Sequence, residues 1–131
     1  MVSLNKYLFL TWTDFEKVID FLEKSFKNDA INGIYGEPRG GLPLSVALSH
    51  RLKKTLVNHS GQDILWIDDI IDSGKTFLER KNNFGYHACW ITRENDASYK
   101  YYKKDSRWVV FPWEVVEQAE EDSIRYAKSR L

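Results

Sequence analysis

A chain of 131 residues with 43% hydrophobic and 29% charged side chains can bury one core and is too short for two. Its 19 Lys and Arg balance 19 Asp and Glu, which excludes both an overall basic field for collecting nucleic acid and an acidic disordered block. Cys89 is the only cysteine, so no intrachain disulfide framework forms, and within "YHACWI" it reads as a small buried hydrophobe. The apolar stretch of "MVSLNKYLFLTW" is shorter than the roughly 7–15 residues of a signal-peptide core, and nothing later approaches the ~18 of a membrane span. The expectation is one compact domain over residues 1–131 in a reducing, cytoplasmic setting, without nucleic-acid or membrane partners.

Residues 6–10, "KYLFL", predict an edge strand. Thr13 then predicts the cap of a helix that places Phe15, Val18, Ile19, Leu22 and Phe26 on one core-facing stripe. Residues 31–36, "INGIYG", predict a buried strand that delivers "GEPRGG" to a second helix, with Leu44, Ala47, Leu48 and Leu52 inward. A short strand is expected at 55–57, and a stronger one at 64–68, "ILWID", which delivers an acidic turn to a helix beginning near Lys75. "YHACWI" (86–91) and "WVVF" (108–111) complete about five strands, and the remainder, "WEVVEQAEEDSIRYAKSRL", reads as a polar helix. This alternation predicts an α/β fold: an open, mostly parallel sheet of about five strands flanked by helices, with ligands at the carboxyl edge.

The segment "ILWIDDIIDSGKT" (64–76) concentrates the chemistry. A nucleoside-triphosphate P-loop needs a glycine separated by four residues from the Gly-Lys-Thr triplet, and Asp69 stands there instead. A carboxylate facing a triphosphate repels it. The amides of residues 73–76, with two hydroxyls and a helix start, suit one monophosphate. Asp68 and Asp69 then suit a ribose diol or a magnesium ion. Paired acids at a strand end often cap the next helix or sit in solvent; the apolar lead-in, the third acid and the phosphate nest together favour a ligand site.

This segment resembles the signature of the type I phosphoribosyltransferases: four apolar or aromatic residues, two acids, two apolar residues, then Asp-Ser/Thr-Gly-Lys/Gly-Thr. The resemblance implies that residues Asp72, Ser73, Gly74, Lys75 and Thr76 hold the 5′-phosphate of phosphoribosyl pyrophosphate, with Asp68 and Asp69 on the ribose and metal side. The earlier loop "YGEPRGGLPLSVALSHRL" (35–52) resembles the pyrophosphate loop of the purine salvage branch, notably the xanthine-guanine enzymes. Arg39, Gly40 and Gly41 are the matching residues. Glycines let backbone amides approach an anion, and arginine forks two hydrogen bonds onto it. The family peptide before the basic residue, here Pro38–Arg39, is often cis. "RWVVFPWE" (107–114) resembles the purine-holding segment, which implies Trp108 as the stacking ring and Val109 as the backbone contact. Arg93 stands where the family has a lysine that donates to a purine 6-oxo group, and Glu114 matches an acid near a second metal in some relatives.

The implied reaction is attack of a purine nitrogen on C1′ of phosphoribosyl pyrophosphate, with loss of magnesium pyrophosphate to give a nucleoside monophosphate. In it Mg²⁺ is the cofactor, Asp69 the favoured metal contact, Asp72 the group handling the N7 proton, and a homo-oligomer, dimer or tetramer, the assembly. The chain departs from the pattern between Leu52 and Ile64, where relatives insert a strand and a long lid and this sequence has only "KKTLVNHSGQD", a reduced hood. That departure keeps a second reading open, a regulatory module that senses phosphoribosyl pyrophosphate or a nucleotide without turnover. A receiver-type phosphoacceptor is disfavoured, because two helical segments precede the acid pair. His50 and His87 lack partner ligands at metal spacing, so no zinc site is expected, and His59, in the short connection, reads as a solvated loop residue rather than a substrate contact.

Overall fold

The computed structural model describes residues 6–129, with side chains described through Arg125. The chain divides into two compact units: Lys17–Asp105, and the two ends taken together, up to Glu16 and from Ser106. Helix α1 (Trp12–Phe26) contributes residues to both.

The larger unit is built on five strands, β2 (Gly33–Gly36), β3 (Thr55–Leu56), β4 (Gly61–Ile71), β5 (Phe84–Thr92) and β6 (Lys100–Lys104). They lie in the order β3-β2-β4-β5-β6, and every neighbouring pair is parallel. Helices α2 (Gly41–Leu52) and α3 (Lys75–Arg80) link them, with a 3₁₀ turn at Lys81–Asn83. Four consecutive residues of β4, Ile64, Leu65, Trp66 and Ile67, are buried. Such a run marks a strand covered on both faces, which explains why it reads as continuously apolar rather than alternating. Val18, Ile19, Leu22 and Phe26 of α1 are buried as their spacing predicts. Phe26 meets Tyr86 of β5 edge to face, with centroids 6.4 Å apart.

Several expectations are corrected. The inward face of α2 is Gly41, Leu44, Ser45 and Leu48, while Ala47 and Leu52 are only half-buried. Ser45 takes an inward place because α2 crosses close to Gly36, where an added Cβ would overlap the Ser45 hydroxyl. That hydroxyl is satisfied by the Leu42 carbonyl at 2.8 Å. The fifth strand of the sheet is β6, "KYYKK", not "WVVF". Strand β4 runs on past the expected end at Asp68 to Ile71, so Asp69 also belongs to the strand rather than to the turn after it.

In the smaller unit, β1 (Tyr7–Phe9) pairs in parallel with β7 (Trp108–Val110), and Leu10 N–H extends the ladder to the Val110 carbonyl at 2.9 Å. The helix cap is Thr11, not Thr13. Asp14 N–H donates to Thr11 Oγ1 at 3.1 Å, while the Thr11 amide and hydroxyl donate to Asp14 Oδ2 at 2.8 and 3.0 Å. This reciprocal capping box needs an acceptor three residues after the cap, which Asp14 supplies for Thr11. Trp12, Phe15, Phe111 and Trp113 pack together, the last two stacked with centroids 5.2 Å apart. The polar tail forms helix α4 (Val116–Ser129), as expected. Among the described residues, no helix is long and apolar enough to cross a membrane.

Candidate functional site

The strand order places a reversal between β2 and β4. From β2 the chain leaves through α2 to β3 on one side; from β4 it leaves through α3 to β5 on the other. A crevice opens at the carboxyl ends of two parallel strands whose connections diverge in this way. Both loops singled out in the sequence leave from those two ends.

Residues 37–41 fold directly onto the end of β4. Glu37 N–H donates to the Ile67 carbonyl at 2.8 Å, and Gly41 N–H donates back to the Glu37 carbonyl at 2.9 Å. The Pro38–Arg39 bond is cis, as the resemblance implies. An added Cβ on Gly41 would overlap the Ile67 carbonyl oxygen, and one on Gly40 would overlap the Asp69 carboxylate. Gly40 has ordinary helical angles, φ −64° and ψ −28°, so closeness rather than conformation requires glycine there. The structure thus brings Gly40 and Gly41 against Asp69 and Asp68, from sequence positions nearly thirty residues apart.

Asp68 and Asp69 are half-buried neighbours. Asp68 Oδ1 accepts from Asp69 N–H at 2.9 Å, and Asp69 Oδ1 accepts from Ile70 N–H at 2.8 Å. Burial first, then the neighbouring Asp69 charge, pushes the Asp68 carboxyl far above the ordinary carboxylate range. Burial also raises Asp69. Two acids held this way retain a proton between them unless a cation replaces it. A magnesium ion fits this donor set, since hard oxygens bind it and its charge would relieve the repulsion. Among the described residues no cluster of three or more His, Cys, Asp or Glu forms a cation cage. An ion held by one or two carboxylates therefore needs oxygens from a ligand and water, the usual arrangement for magnesium at phosphate sites.

A hollow beside the acids is lined by Asp68 and by residues 70–77. Gly74 makes the turn at φ 83°, a left-handed conformation that side chains other than glycine adopt at a cost. Ser73 Oγ accepts from Lys75 N–H at 3.3 Å, and Leu78 N–H bonds the Gly74 carbonyl at 2.9 Å. Asp72, Ser73, Gly74, Lys75 and Thr76 all line the hollow. Asp72 also pairs with Arg93, whose Nε donates to Asp72 Oδ1 at 3.1 Å and whose Nη1 donates to the Asp105 carbonyl at 3.0 Å. The sequence separates these two roles; the structure joins the residues in one pair.

Sequence reasoning missed a trio beneath the loops. Glu37 is 8% exposed, and its carboxylate accepts from Trp66 Nε1 at 3.0 Å and from Arg80 Nε at 2.7 Å. The available signal was an acid directly after a buried strand, where the loop turns inward. Trp108 and Val109 stand on β7 opposite Tyr7 and Leu8, with Val109 buried. Glu114 closes a turn in the same unit, its carboxylate accepting from Phe111 N–H at 2.9 Å. His87 is bonded to the Lys81 carbonyl at 2.9 Å and His59 to the Ser60 carbonyl at 3.1 Å. Cys89 is fully buried as expected, and burial pushes its thiol well above the ordinary range.

No protein-family model and no curated protein matches this sequence. Solved structures do. A purine phosphoribosyltransferase from Pyrococcus horikoshii superposes with a TM-score of 0.72 at 23% identity, covering 84% of this chain and 95% of that one. A xanthine-guanine-hypoxanthine phosphoribosyltransferase from Helicobacter pylori gives 0.64 at 20% identity, covering 88% and 99%. A Neisseria gonorrhoeae hypothetical protein with bound ppGpp gives 0.67 at 15% identity, covering 94% and 97%. The chain has the type I phosphoribosyltransferase fold, in a form with a reduced hood.

Proposed function

We propose that the protein is a magnesium-dependent purine phosphoribosyltransferase, which transfers the 5-phosphoribosyl group of phosphoribosyl pyrophosphate to a 6-oxopurine. The observation that carries this reading is the meeting of two anion-suited loops and an acid pair at one strand reversal, with Gly40 set against Asp69. The distribution of charge suits a sugar with an anion at each end.

In this reading the turn at residues 72–76 grips the 5′-phosphate, and Arg39 with the amide of Gly40 grips the pyrophosphate, while the Gly41 amide stays bonded to the Glu37 carbonyl. Asp68 and Asp69 orient the ribose hydroxyls and stabilise positive charge that develops on the ring as the bond from C1′ to the leaving oxygen breaks. Asp72 receives the N7 proton of the purine as the new bond from nitrogen to C1′ forms, and the hydrogen bond from Arg93 Nε to its Oδ1 restrains its carboxylate. A magnesium ion held at Asp69 with Asp68 would neutralise charge on the leaving pyrophosphate.

Incubation with magnesium, phosphoribosyl pyrophosphate and each purine base in turn, following nucleotide and pyrophosphate together, tests the proposal. Nucleotide formation from guanine, hypoxanthine or xanthine is the expected result. Pyrophosphate release without nucleotide would point to hydrolysis. A second reading, a nucleotide-sensing module of the same fold, is favoured by one feature: only residues 53–60, including the two-residue β3, join α2 to β4, so this connection holds no long lid. The ppGpp bound to the Neisseria protein is compatible with it. Saturable binding with neither product would support that reading.

A further inference from the structure

The buried carboxylate of Glu37 is the group in the larger unit that the proposed chemistry leaves without a task. It accepts from Trp66 Nε1 at 3.0 Å, from Arg80 Nε at 2.7 Å and from Arg80 Nη2 at 3.3 Å. Its main chain is tied as well, through the amide to Ile67 and through the carbonyl to Gly41. Burial opposes the charge of Glu37, but the hydrogen bonds from Arg80 and Trp66 outweigh it and hold the carboxyl below its ordinary range.

Glu37 and its two side-chain partners lie on three different segments. Glu37 begins the loop that carries Arg39, Gly40 and Gly41. Trp66 lies on β4 just before the acid pair, and its ring packs against Phe77 of α3 with centroids 5.9 Å apart. Arg80 ends α3, the six-residue helix that begins at the turn of residues 72–76. Because α3 is so short, a tether at its last residue fixes its first turn within about 9 Å along the axis.

The pair is only partly buried, since 38% of the Arg80 side chain is exposed against 11% of the Glu37 side chain, and an ion pair open to solvent on one side adds little net stability. What a forked arginine–carboxylate contact supplies beyond packing is fixed geometry. We propose that Glu37 is a positioning residue that sets the spacing between the two anion-binding loops, and so the span of a ligand with an anion at each end. This inference rests on the reading of those loops given above.

Its signature is selective. A ligand that engages both loops depends on their separation, whereas a ligand that engages one loop does not. Glu37→Gln keeps the shape and the Oε1 acceptor that Trp66 Nε1 and Arg80 Nε share, but removes the charge and turns an NH2 group toward Arg80 Nη2, which breaks the fork. Binding of phosphoribosyl pyrophosphate to this variant, measured by calorimetry with magnesium, is expected to weaken about tenfold. Binding of ribose 5-phosphate and of pyrophosphate, each measured alone, is expected to change less than twofold. The double variant Glu37→Leu, Arg80→Leu keeps the volume apolar and tests the same point if the single variant folds poorly. It too is expected to lose the two-anion ligand selectively.

Equal weakening of all three ligands would assign Glu37 a general structural role and overturn the inference. So would wild-type affinity for phosphoribosyl pyrophosphate in both variants, while leaving the assignment of the loops intact. Failure of the wild-type protein to bind phosphoribosyl pyrophosphate at all would overturn the loop assignment, and the positioning role with it.

Discussion

The carboxylate of Asp69 rests against the α-carbon of Gly40, so closely that a methyl group at residue 40 would occupy the space of its oxygens. This contact joins the ends of β2 and β4, and it makes the two glycines of the first loop unequal. Gly40 faces the tip of a side chain; Gly41 faces backbone, with Asp68 Cα 3.1 Å from where its Cβ would stand.

Gly40→Ala is therefore expected to leave the fold nearly as stable as before while displacing Asp69. Binding of phosphoribosyl pyrophosphate should weaken tenfold or more. Gly41→Ala presses on main chain that cannot yield and is expected to lower stability by about 2–3 kcal/mol. Urea unfolding and ligand titration of the two variants check the contrast, and equal stability losses in both would contradict it.

The acid pair predicts an unusual pH dependence. Both carboxyls are raised by burial, so between the ordinary aspartate range and their folded values the native chain binds more protons than the unfolded chain. Stability is then lost as pH rises through that window. Asp68→Asn keeps an oxygen to accept from Asp69 N–H, removes one of the competing charges, and is expected to stabilise the apoprotein by about 1–2 kcal/mol at pH 8. The gain should shrink toward pH 4. Chemical denaturation at several pH values measures it, and a gain independent of pH would refute the account.

Magnesium should show the opposite preference. Binding requires deprotonated carboxylates, so the ion is expected to stabilise the wild-type chain more at pH 8 than at pH 6. Thermal melts with and without magnesium provide the readout. The effect should vanish in the double variant Asp68→Asn, Asp69→Asn; persistence there would place the ion elsewhere.

Asp72 and Arg93 form a pair at 3.1 Å, which separates two effects. Asp72→Asn retains an acceptor for Arg93 but not a proton acceptor of comparable basicity. It is expected to reduce kcat about 100-fold or more with little change in the binding of phosphoribosyl pyrophosphate. Steady-state kinetics with a purine acceptor checks this, and a loss confined to KM would argue against Asp72 as the proton acceptor.

Gly74 sits at φ 83° with nothing within 4 Å of an added Cβ. Gly74→Ala thus meets open space but an unfavourable backbone, at a cost of about 1–2 kcal/mol. The turn is expected to relax, and thermal stabilisation by a nucleoside monophosphate to fall. The wild-type chain should respond to the monophosphate and not to adenosine triphosphate; the reverse preference would contradict a cradle for one phosphate.

The parallel sheet and the acidic turn were legible because their signals are local. Ile64, Leu65, Trp66 and Ile67 announce a doubly covered strand, and the spacing of Val18, Ile19, Leu22 and Phe26 announces a helix face. What stayed hidden depends on tertiary contact. Ser45 turns inward because Gly36 leaves room for it. Glu37 is buried because Trp66 and Arg80, at distant positions, converge on it. The pairing of Asp72 with Arg93 likewise joins two strand ends whose adjacency no spacing reveals. Thr11 was the exception: its capping box with Asp14 is a local pattern, overlooked in favour of a neighbouring threonine.

Strand β6 escaped notice for a different reason, and that reason has a use. Lys100, Lys103 and Lys104 project from the outermost strand of the five, exposed to solvent. A lysine-rich border repels an incoming strand that would otherwise find unpaired amides and carbonyls there, so fibrillar growth at this margin is discouraged. The charges that disguised the strand in the primary structure also guard it against strangers.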